Sequence, residues 1–145
     1  MVVSLEPYVR MQEYHDEHGP ERVFRMAKYS ELVESRDPKK LNRALNQGRA
    51  INNLYGDKEP LVKALLKQRL YYWENLEQHP FAGGFEYLNR LEEDLVDLLG
   101  EDEAKTRWED FVVSETRKEL DRCSCSLDKR IVLRSREITL TSFRN

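Results

Sequence analysis

The sequence predicts a mainly α protein, a compact bundle of five or six amphipathic helices with an extended C-terminal tail. Three observations carry this expectation. Apolar residues recur three and four apart along most of the 145 residues, which stacks them on one helical face. The breakers are few, six Gly and five Pro, and they fall between the periodic stretches. Leucine is abundant and isoleucine scarce, a usage that favours helix over strand.

Each helix follows from its ends and its stripe. A first short helix is expected over residues 6–18, closed by Gly19-Pro20. Pro20 opens a second, about 20–35, because a proline at the first helical position loses no hydrogen bond. Asp37-Pro38 starts a third, with Asp37 as N-cap. Its stripe is Leu41, Leu45, Gly48, Ile51 and Tyr55, and Gly56 ends it in the left-handed conformation. A fourth begins near Asp57–Pro60 and reaches about Gln78, with Val62, Leu65, Leu66, Leu70, Trp73 and Leu76 on one side. The segment 79–84, His-Pro-Phe-Ala-Gly-Gly, breaks it. A fifth runs over about 85–99 on Leu88, Leu91, Leu95, Leu98 and Leu99, and stops at Gly100. A sixth opens on Glu101-Asp102-Glu103, where the positive end of the helix dipole favours acids. It continues through Ala104, Trp108, Phe111 and Val112 to about Arg122. The predicted core is Leu41, Leu45, Ile51, Leu65, Leu66, Trp73, Leu88, Leu91, Leu95, Leu98, Trp108 and Phe111.

Composition then shifts. Residues 130–143 hold five β-branched residues in 14, against seven in the 88 residues of 41–128. That bias reads as extended chain, one strand or a hairpin turning near Ser135-Arg136. The expected organisation is a helical domain, 1–128, and an extended tail, 129–145. A lone hairpin is marginal in water. The tail therefore packs on the helices or pairs with a strand of another chain.

Composition also excludes function classes. No apolar run approaches the roughly 20 residues of a membrane span. Residues 1–10 carry Glu6 and Arg10 and no apolar stretch of the secretory type. Cys123 and Cys125, the two cysteines, make no disulfide framework. These features predict a cytoplasmic protein without membrane contact. No nucleotide-binding glycine loop and no nucleophile elbow occurs. His15-Asp16-Glu17-His18 is the densest ligand-type cluster, but the third histidine, His79, is remote. A metal site needs three or four convergent ligands, and Cys123-Ser124-Cys125 has no second cysteine pair to complete one. The expectation is a non-catalytic protein without cofactor or metal.

What stands out is charge. The net charge of −3 conceals blocks of +6 over residues 36–71, −8 over 84–121 and +4 over 122–145. Segregation of this kind points either to a partner or to blocks of opposite sign that face each other within the fold. The first reading is a protein–protein interaction module, such as an adaptor, an inhibitor or a small assembly subunit, with a protein partner or a homo-oligomer. The alternative is an accessory nucleic-acid-binding subunit. In either case the expected contact residues are Lys39, Lys40, Arg43, Arg49, Lys63 and Lys67 in the basic block and Arg130, Arg134 and Arg136 in the tail.

Overall fold

The structure, a computed structural model, describes residues 20–78 and 84–143. The expected first helix over 6–18 and most of the break at 79–84 lie outside the described residues. Six helices occupy the described residues: α1 Pro20–Val33, α2 Pro38–Tyr55, α3 Glu59–Gln78, α4 Gly84–Leu99, α5 Glu101–Arg122 and α6 Ser126–Leu140. The fold is all-α, and among the described residues there is no strand.

Local chemistry sets the ends of the helices. The Asp37 carboxylate accepts the Lys39 N–H at 3.1 Å and caps α2, satisfying one donor that a helix start leaves open. Gly56 stands at φ 71° beyond α2 and donates to the Asn52 carbonyl at 2.9 Å. Gly100, at φ 85°, separates α4 from α5. It donates to Val96 and accepts from Ala104, so one residue ends one helix and starts the next.

The tail is the main departure from the sequence reading. Residues 126–140 form helix α6 and not an extended segment. The β-branched residues there cost only a few tenths of a kcal/mol each in a helix. Cys125 caps α6, its sulfur accepting the Asp128 N–H at 3.4 Å, and Asp128 lies in the first turn. The Trp108 indole N–H donates to the Thr139 carbonyl at 3.3 Å. Beyond the helix, Phe143 is 1% exposed and stacks on Trp108, the ring centroids 6.1 Å apart. Long-range packing of this kind overrides a weak local preference.

The chain divides into two compact units, Met1–Ala64 and Leu65–Asn145, the boundary falling inside α3. In the first unit α1 packs along α2, and Leu32, Val33, Leu41, Ala44, Leu45, Ile51 and Val62 are buried. Gly48 lets α2 approach the start of α3: a Cβ there would lie 2.9 Å from the Leu61 Cα. In the second unit α4 packs on α5 and α5 on α6. Leu65, Leu66, Leu70, Leu88, Leu91, Leu95, Trp108 and Val112 are buried. Trp73, Leu98 and Phe111, expected in the core, are only half-buried. Trp73 meets the Phe85 ring edge-on at 6.2 Å, and the Phe111 ring lies 6.4 Å from that of Trp108. No described helix is long and apolar enough to cross a membrane.

Candidate functional site

The basic residues singled out in the sequence fall into different environments. Lys39, Lys40, Arg43 and Arg49 all lie on α2 and are exposed. Lys39, Lys40 and Arg43 lie on the polar side of that helix, and Arg49 flanks it. Lys63 is exposed and is held by Glu34 at 2.9 Å. Lys67 is buried, at 5% exposure. A partner cannot reach a side chain so placed without opening the fold.

The tail residues separate in the same way. Arg130 and Arg134 are exposed on α6. Arg136 is buried and bridges two carboxylates, Glu119 at 2.5 Å and Glu74. Its remaining terminal nitrogen, Nη1, is enclosed without a hydrogen-bond partner. A guanidinium removed from water needs such neutralisation, so Arg136 serves the interior.

A buried guanidinium escaped the sequence reading. Arg69 is 1% exposed. Its guanidinium lies over the Trp108 ring, 4.3 Å from the centroid, and 5.1 Å from that of Phe143. It donates to the Ser142 hydroxyl and carbonyl and pairs with Glu92 at 3.6 Å. Burial pulls its pKa down to about 10, while Glu92 pulls the other way. The Tyr71 hydroxyl donates to the buried Glu115 carboxylate at 3.1 Å, which Lys118 also approaches at 3.4 Å. A signal for Arg69 was present, since residue 69 falls in phase with Val62, Leu65 and Trp73 on the apolar side of α3.

The outward face of α6 is unusual. The helix buries Arg136 and Thr139. It exposes Leu127 at 63%, Ile131 at 60% and Ile138 at 59%. The most deeply buried residues of α6 are thus polar, while three large apolar side chains face solvent. Arg130 and Arg134 stand among the exposed apolar residues, and Asp128 and Glu137 are exposed beside them. On another side of α6, a groove of about 310 Å³ opens against α5. Val112, Val113 and Leu120 line it from α5, and Leu133 and Leu140 from α6. Thr116, Arg117, Arg136 and Glu137 complete its lining.

Among the described residues no group of three or more His, Cys, Asp or Glu side chains converges as metal ligands would. His15, His18 and His79 lie outside the described residues. Cys123 is half-buried and Cys125 exposed, and both are free thiols. No known protein family, curated protein or solved structure matches this chain.

Proposed function

We propose that the protein is a non-catalytic interaction module that uses the outward face of α6 to bind an amphipathic helix. The observation that carries this reading is the exposure of Leu127, Ile131 and Ile138 on a helix whose most deeply buried residues are polar. A cluster of exposed apolar side chains with polar residues around it is a mark of a contact site. The flanking Arg130 and Arg134 favour acidic residues at the margin of the occupant. The buried ionisable groups of the second unit also fit a non-catalytic role. Each is held by partners of its own, Arg69 by Glu92 and Ser142, Arg136 by Glu119 and Glu74, and Glu115 by Tyr71 and Lys118.

The test uses the full chain, because truncating α6 would also remove Phe143 and the Arg69–Ser142 bonds. Self-association is followed by sedimentation. Binding of a designed peptide helix, with an apolar seam and glutamates beside it, is followed by fluorescence anisotropy. Wild type should show at least one of these interactions, and Ile131→Asp should weaken it with an unchanged circular-dichroism spectrum. If wild type shows neither at about 100 µM, a concentration at which a dissociation constant in the micromolar range gives clear binding, the reading fails.

A second reading rests on α2, where Lys39, Lys40 and Arg43 are exposed on the first turns of one helix. This row suits the backbone phosphates of a nucleic acid. The dependence of affinity on salt should then have a slope of about −0.9 per phosphate contact on duplex DNA. Lys39→Ala with Arg43→Ala should flatten that slope. Absence of salt-dependent binding to short oligonucleotides overturns it.

A further inference from the structure

We infer that the occupant of the α6 face is a second copy of this chain, paired antiparallel with the first through α6. The inference rests on the reading of α6 as a contact surface and names the partner. Leu127, Ile131, Arg134 and Ile138 are spaced four, three and four apart. That is the seam spacing of paired helices. Three of the four are exposed apolar residues, and Arg134 is exposed between them.

The direction follows from Arg134 and from the charges beside the seam. In a parallel pair each seam residue meets its own copy, so Arg134 would oppose Arg134 at the centre of an apolar contact. Like charges there are destabilising. In an antiparallel pair Leu127 of one copy meets Ile138 of the other, and Ile131 meets Arg134. The aliphatic stem of Arg134 then covers Ile131 while its guanidinium reaches the edge. The same register places Arg130 beside Glu137 of the other copy, and Glu137 beside Arg130. Both residues are exposed and lie on the same flank of the seam. One surface is thus complementary to itself under a two-fold rotation, as an isologous dimer requires. The 15-residue helix supplies a contact about 22 Å long.

Sedimentation equilibrium of the full chain tests this with charge exchanges. Wild type should dimerise, and Ile131→Glu should abolish dimerisation while helicity is kept. Arg130→Glu and Glu137→Arg should each raise the dimer dissociation constant about tenfold, since each turns two attractions into two repulsions. A mixture of the two single variants should form a one-to-one heterodimer, and the double variant should return to within about threefold of wild type. A monomeric wild type overturns the inference, as does a wild-type dimer indifferent to the charge variants, or single variants that fail to complement each other. If the chain is monomeric yet the acidic peptide helix still binds and Ile131→Asp prevents it, the second copy is excluded while the contact surface stands.

Discussion

The Arg69 guanidinium carbon lies 4.3 Å from the centroid of the Trp108 ring, and both side chains are withdrawn from water. A buried cation is tolerated here because its needs are met from several directions. The face of the indole carries negative potential, Ser142 accepts two hydrogen bonds, and Glu92 supplies a countercharge. Three helices and the residues after α6 are tied together by one side chain.

Arg69→Ala should therefore cost about 3–5 kcal/mol of unfolding free energy, the range for removing one partner of a buried ion pair. The combined change Arg69→Met with Glu92→Leu should recover most of that loss, because no unpaired charge is then left inside. Urea denaturation of the wild type and the two variants checks this. Equal stability of the single and double variants would show that the charge at Glu92 does not matter.

Arg136 provides a sharper contrast with the sequence reading, which places it among the contact residues. Its ties to Glu119 and Glu74 predict a structural effect. Arg136→Ala should lower stability by about 3–5 kcal/mol, whereas the exposed Arg134→Ala should change it by less than about 0.5 kcal/mol. Thermal unfolding of both variants separates the roles.

Gly48→Ala should destabilise the first unit even though alanine is the better helix former. The added methyl would meet the Leu61 Cα at 2.9 Å and the Leu61 nitrogen at 3.0 Å. Both are backbone atoms, so relief requires moving a helix. Overpacking of about 1–3 kcal/mol exceeds a helical gain of about 1 kcal/mol. Denaturation should show a net loss, and an unchanged midpoint would mean that α2 and the start of α3 separate freely.

The Tyr29 hydroxyl is enclosed without a hydrogen-bond partner. Burial, and then the charges of Glu34, Asp57 and Glu59, hold its phenol protonated well above the ordinary tyrosine range. Above a pH of about 10 the unfolded chain releases this proton and the folded chain keeps it. Stability then falls as pH rises. Tyr29→Phe should be neutral or stabilising by about 1 kcal/mol at pH 7 and should lose less stability than wild type on moving to a pH of about 10.5. Paired urea titrations at the two pH values measure the difference.

Helix ends were legible because their causes are local. Asp37 and Pro38 start α2 and Gly56 stops it, and Gly100 divides α4 from α5, each acting through φ preference and hydrogen bonds within four residues. The leucine stripes of α2 and α4 were legible for the same reason. Lys39, Lys40, Arg43 and Arg49 of α2 are exposed, and so are Arg130 and Arg134, though on a helix and not in an extended tail.

Residues 126–140 and the buried charges were decided elsewhere. The β-branched content of that segment favours extended chain only weakly, and the contacts of Thr139 and Phe143 with Trp108 outweigh it. Lys67, Arg69 and Arg136 look like surface residues by type, yet all three are buried. For α2 to α5 the sequence by itself determined where the helices begin and end and which sides of them are apolar, since those properties arise within one or two turns. Only the tertiary structure decided that α6 buries Arg136, because burying a charge depends on countercharges brought from distant parts of the chain.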